Sequence, residues 1–312
     1  MSTSKPIRMV WCVLSVILAS VALSAVGYNL ARADTVPPPA PGQTIRLNVA
    51  DPGSSDNPDL SDDGRYVVFE SASAVLTAGD TNGSTDIFIR DTASATIQLL
   101  SLVNGSSTTQ GSGSSRLPAI SASGDVVAFL SDAKNLTADS YTATPGFLNV
   151  FVRVRSTLET LRINAPGGLE PDVSAALVPV GISPDGTYVL FTSYATNLTP
   201  AVSITQTTTG GQPMAHLYLW GPRTAPILRM VDVAASGTAA CFIEPPYNSG
   251  SLASTSAAVS SDGDYVAFSS LCQDLVSPPL VQGNAQVFRW HKDSGAVELV
   301  TKDVSGNPIG AF

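Results

Sequence analysis

The segment Asp80–Asp91, DTNGSTDIFIRD, concentrates oxygen ligands: Asp80, Asn82, Ser84, Asp86 and Asp91 stand at positions 1, 3, 5, 7 and 12 of a calcium-loop spacing. A hard cation needs such a cluster of carboxylate, amide and hydroxyl oxygens, so this loop is a candidate for calcium chemistry. Two features pull against it. Gly83 takes position 4 rather than the sixth position used by EF-hand loops, and Asp91 follows an apolar run that reads as a rigid strand. The same residues also suit a turn stabilised by Asn82. Asp80, Asn82, Ser84 and Asp86 are therefore the candidate ligands of one calcium ion, and the corresponding later loops, TADSYTATPGF, TPAVSITQTTTGGQP and VSPPLVQGNAQ, carry at most one acid each.

Other residue types offer less. The two histidines, His216 and His291, begin and end equivalent strands, which separates them by about 17 Å in depth, too far to share a metal or a proton. No Gly-x-Ser-x-Gly elbow occurs, so nucleophilic catalysis has little support. Carboxylates are plentiful, but Asp62, Asp63, Asp185 and Asp262 stand where turns need them. Trp220 and Trp290 end strands and read as packing residues rather than sugar platforms. Asn82, Asn104, Asn135 and Asn197 head formal glycosylation tripeptides.

Residues 1–33 read as an export signal: Lys5 and Arg8 precede the apolar run Met9–Val26, and Ala31-Arg32-Ala33 offers a cleavage site. An uncleaved anchor is the alternative for a run of this length. Cleavage takes Lys5, Arg8 and Arg32 and no acid, moving the formal charge from −9 to −12. That balance disfavours nucleic-acid binding. Cleavage also removes Cys12, leaving Cys241 and Cys272, which an oxidising compartment allows to pair. Residues 34–43 read as a proline-rich linker.

These residues must be positioned by repeats. SDDGRYVVFES, SASGDVVAFLS, SPDGTYVLFTS and SSDGDYVAFSS begin at Ser61, Ser121, Ser183 and Ser260, and each closing serine is followed five residues later by Leu76, Leu136, Leu198 or Leu275. Serine, then proline or a polar residue, then aspartate and glycine is the preference of a type I turn joining antiparallel strands. A short strand precedes each turn. An apolar strand follows it, then DIFIRD, NVFVRV, HLYLWG or QVFRWH, and finally TIQLLS, ETLRIN, ILRMVD or VELVTK. Each unit is a four-stranded meander, a to d, apolar on both faces, and such sheets stack radially. The expected fold is an all-β propeller of four recognisable blades over 44–312, with repeats at about 50–101, 102–164, 165–232 and 233–302. TIRLNV, 44–49, matches a strand d without three partners of its own, so an incomplete or open ring is expected.

SPDGTYVLFTS followed by NL, and DTNGSTDIFIRD followed by a last strand, resemble the WD-type repeat of TolB-like bacterial β-propellers over residues 44 to about 302. The resemblance implies a binding scaffold of the cell envelope and is silent about chemistry. Strand direction places the long d–a and b–c loops on one face, where binding surface is expected. The expectation is a noncatalytic exported or periplasmic scaffold for a protein or glycan, without a membrane span once the signal is removed. The alternative is a carbohydrate-active enzyme, a hydrolase or lyase, using paired channel carboxylates about 5 to 9.5 Å apart.

Overall fold

The computed structural model describes residues 53–139, 147–165, 168, 170–175, 181–205, 207, 214–243, 253–280 and 284–308. The expected signal at 1–33, the linker at 34–43 and the strand at 44–49 lie outside these residues, as do parts of the later long loops.

Each repeat folds as read. The first sheet comprises β1 Ser55–Leu60, β2 Tyr66–Ser71, β3 Asp86–Asp91 and β4 Thr96–Leu99, and the second β5 Ser115–Ile120, β6 Val126–Ser131, β7 Asn149–Val154 and β8 Glu159–Arg162. The third holds β9 Gly181–Ile182, β10 Val189–Ser193, β11 His216–Gly221 and β12 Ile227–Met230, and the fourth β13 Ser254–Val259, β14 Tyr265–Ser270, β15 Gln286–His291 and β16 Val297–Leu299. All four are antiparallel meanders in chain order.

The serine turn is a hydrogen-bond pattern. Ser61 Oγ accepts the Tyr66 N–H at 2.9 Å and donates to Asp63 Oδ1 at 2.7 Å, which in turn accepts the Arg65 N–H at 3.0 Å. Ser183 with Asp185, and Ser260 with Asp262, repeat it. In the second blade Ser123 replaces the aspartate. Asp63, Asp185 and Asp262 are thus committed to their turns. Asp62 instead sends its backbone N–H to Ala122 O in the next turn, at 3.2 Å, and Ala122 N–H continues to Pro184 O at 2.8 Å.

The cores lie between sheets. One face of the first blade, with Val68, Ile87 and Ile89, packs on Phe129 and Phe151 of the second. Val126, Ala128 and Val152 on the far side of the second meet Phe191, Tyr218 and Trp220 of the third. Leu190, Leu217 and Leu219 then meet Phe268, Phe288 and Trp290 of the fourth. Burying each large apolar side chain stabilises by about 1.5–3 kcal/mol, so these interfaces dominate the fold. Strands b and c of the second and third blades are buried throughout, as their apolar runs foretell.

The turn glycines fit these joints. A Cβ on Gly124 would stand 2.3 Å from Tyr66 Cδ2, and one on Gly263 2.2 Å from Tyr188 Cδ2. Their φ angles of 74° and 70° also favour glycine. Gly64 has no such neighbour, and Tyr265 is 39% exposed. Packing between sheets runs from the first to the fourth, and no comparable contact among the described residues returns from the fourth to the first. The molecule is a β-propeller-type array of four blades forming an open ring.

Candidate functional site

The long b–c and d–a loops meet on one face, where side chains pin them to one another. Asn135 accepts the Ser112 N–H at 2.8 Å and donates to Gln110 O at 3.1 Å, while Asn197 accepts the Asp172 N–H at 3.2 Å and donates to Glu170 O at 2.7 Å. Asp274 Oδ1 takes the Phe242 N–H at 2.7 Å in the fourth blade. In the second, third and fourth blades the b–c loop therefore holds the loop that enters its own blade. Below the pins, Leu136, Leu198 and Leu275 are buried, which explains the constant serine-to-leucine spacing. Asn82 donates to Gly111 O at 2.9 Å and Asn104 accepts the Thr160 N–H at 3.0 Å, so all four asparagines of the formal glycosylation tripeptides hold backbone.

The calcium-spaced loop is drawn together differently from its spacing. Asn82 Oδ1 accepts the Ser84 N–H at 2.6 Å, the Asx turn that competed with the metal reading. Asp80 and Asp86 are buried, and the Gln110 amide stands between them, donating to Asp80 Oδ1 at 2.8 Å and Asp86 Oδ2 at 3.0 Å. Ser101 Oγ donates to Asp86 Oδ1 at 2.5 Å. Asp91 is drawn off to Arg65, at 2.7 Å on the turn side of the sheet. Burial, and secondarily the neighbouring Asp80 charge, pushes the Asp86 carboxyl up to about 6, whereas Arg65 holds Asp91 down at about 2. The geometry joins Asp80 to Asp86, leaves Ser84 in the turn, and adds Gln110 from another loop.

A second constellation escaped the sequence reading. In every blade the residue ending or following strand d accepts the N–H of the second residue of strand c. Ser101 takes Ile87 at 3.2 Å, Asn164 takes Val150 at 3.1 Å, Asp232 takes Leu217 at 3.0 Å and Thr301 takes Val287 at 3.2 Å. In the third blade this residue is a carboxylate whose partner is an imidazole: Asp232 Oδ2 lies 3.2 Å from His216 Nδ1 and accepts the Ser254 hydroxyl at 2.9 Å. Serine, histidine and aspartate are thus in contact, but aspartate is the hub. A hydrolytic triad needs the serine hydroxyl on the histidine, so this wiring organises a core. Aligning the last residues of strands d, with Asp232 beside Ser101, Asn164 and Thr301, is the sequence signal that could have found it.

His216 is buried at the start of β11 and His291 ends β15 in another blade, so they share nothing. Trp220 and Trp290 are buried in the interblade cores. Cys241 and Cys272 are joined, with 1.99 Å between sulfurs and 5.6 Å between Cα atoms.

No protein-family model matches this chain, and no curated protein matches it. Solved structures with a similar course do exist. TolB from Acinetobacter baumannii is 16% identical with a TM-score of 0.40, over 80% of this chain and 43% of that one. An oligogalacturonate lyase from Vibrio parahaemolyticus is 13% identical with a TM-score of 0.42, over 79% and 52%. The β-propeller domain of the Trilobed protease from Pyrococcus furiosus, described as having an open velcro topology, is 13% identical with a TM-score of 0.43, over 80% and 57%. The chain spans about half the length of these proteins. The fold stands on the four sheets described above.

Proposed function

We propose that this chain is a noncatalytic exported scaffold of the TolB-like kind that binds a protein or glycan through its long-loop face. The supporting observation is the mutual pinning of the loops. Gln110 ties loop 102–115 to the first blade and Asn135 ties it to the second, so the surface is held before a partner arrives. A surface ordered in advance loses less entropy on association. The resemblance of the Ser-x-Asp-Gly repeats to envelope propellers, together with the signal-like leader, supports export. The alternative enzyme requires paired carboxylates open to a substrate, and Asp80 with Asp86 is a buried pair bridged by an amide.

The test is a pull-down with the mature chain from envelope and culture fractions. Val75→Arg and Lys134→Glu alter exposed positions of the first and second b–c loops, and Asp293→Lys alters an exposed turn on the other face. Loss of a captured partner with the first two, and retention with the third, is expected. Equal recovery from all three would refute a loop-face site, and depolymerisation of a polysaccharide by the purified chain would favour the enzyme.

A further inference from the structure

Beneath the loop face, between the third and fourth blades, three groups with metal-ligand chemistry converge. One ring nitrogen of His216, one carboxylate oxygen of Asp232 and Sγ of Cys241 lie within 4.8 Å of one another, and all three residues are 0% exposed. Cys241 N–H donates to Asp232 O at 2.9 Å, which fixes the backbone of the sulfur-bearing residue against the carboxylate-bearing one. Nδ1 is the imidazole nitrogen that faces Asp232, 3.2 Å from Oδ2, so a cation shared by the two takes Nδ1 and leaves the ring proton on Nε2. Nε2 is buried and has no hydrogen-bond partner among the described residues.

The structural duty of the pair does not require these residue types. Ser101 with Asp86 and Thr301 with Gln286 fasten strand c to strand d at the equivalent places. Imidazole and carboxylate together occur at this position in the third blade alone among the described residues, and there they lie beside the cysteines. In the disulfide, Cys241 sulfur is uncharged and a poor ligand. As a thiolate it is a strong one.

We propose that reduction of the Cys241–Cys272 bond unmasks a binding site for a zinc-class divalent cation, ligated by Cys241, His216 and Asp232 with Cys272 as the fourth ligand. A dithiol reductant breaks the S–S bond, supplies two electrons and two protons to form two thiols, and itself becomes a disulfide. The cation then displaces the thiol protons to solvent. A mixed sulfur, nitrogen and oxygen set suits tetrahedral zinc rather than calcium. Tetrahedral zinc places its ligand atoms about 3.2–3.8 Å apart, so the cluster must contract by about 1 Å, which release of the sulfur–sulfur bond permits.

Cobalt(II), which reports tetrahedral thiolate ligation by its visible bands, is the probe. The mature chain, reduced with dithiothreitol and desalted without oxygen, is expected to bind one equivalent with such bands, and the oxidised chain none. Cys272→Ser frees Cys241 without any reductant and is expected to bind cobalt more weakly but with the same class of spectrum. His216→Gln installs the residue that the fourth blade tolerates at this place, and is expected to fold and to lose at least tenfold in affinity. Absence of bands in folded reduced chain and in folded Cys272→Ser would overturn the proposal. So would bands of equal strength in His216→Gln, or loss of native circular dichroism in both freed-thiol forms.

Discussion

Asp86 carries a titration with a definite sign. Its carboxyl is raised from 3.8 to about 6 in the folded chain, chiefly by burial and also by the charge of Asp80. The native state therefore holds this proton more tightly than the unfolded state. The associated stability is fully present below about pH 4 and is lost as pH rises through about 6, up to about 3 kcal/mol by linkage. Asp80→Asn keeps an oxygen for the Gln110 amide and removes the neighbouring charge, so its stability relative to the parent should increase from pH 4 to pH 7. Urea unfolding of both proteins at the two ends of that range checks this, and an unchanged difference would contradict it. Calcium titration by calorimetry is expected to reveal no more than one site, because the equivalent b–c loops of the later blades carry at most one acid each. The carboxylates were legible in DTNGSTD. Gln110 was not, because it arrives 24 residues after Asp86 through the pairing of blades.

The glycine turns separate two physical effects that sequence alone merges. Gly263 has a φ of 70° and no room for a Cβ beside the Tyr188 ring, whereas Gly64, with a φ of 71°, meets nothing closer than Leu60 at 3.9 Å. Gly64→Ala should cost about 1–2 kcal/mol, the backbone penalty alone. Gly263→Ala should cost more by about 1–3 kcal/mol, the cost of overpacking, and denaturant midpoints would show the difference. The strands themselves are legible: the four c strands run from Asp86, Asn149, His216 and Gln286, as the repeat of DIFIRD, NVFVRV, HLYLWG and QVFRWH implies. The a strands hid a feature. Asn57, Leu117 and Ser256 adopt φ angles of 50°, 52° and 47° where the a–b register shifts, and of these only asparagine is a type that favours such a φ. At Leu117 the N–H is met by Glu70 Oε2 of the preceding blade at 2.7 Å, a partner 47 residues away.

At the scale of the whole molecule, one joint is used three times and its halves are left over at the ends. Tyr66, Val126 and Tyr188 each receive the turn of the next blade, while Tyr265 at the equivalent place is open to solvent. The fourth blade accordingly alternates buried and exposed along β14 where the inner blades do not. Tyr188→Ala should destabilise by about 3–5 kcal/mol and Tyr265→Ala by a small fraction of that, read from thermal or urea unfolding; equal costs would mean that the ring closes on Tyr265. The backbone bonds between turns give the same joints a second voice. Amide protons at turn tips normally exchange with solvent at once, but those of Asp62 and Ala122 are donated across blade boundaries, and Pro184 has none to give. Two single hydrogens thus time the opening of two seams independently: slow exchange at Asp62 reports the first seam, slow exchange at Ala122 the second. The third seam, lacking such a clock, is the one that Lys292 fastens through its ammonium to the Tyr188 hydroxyl at 3.1 Å.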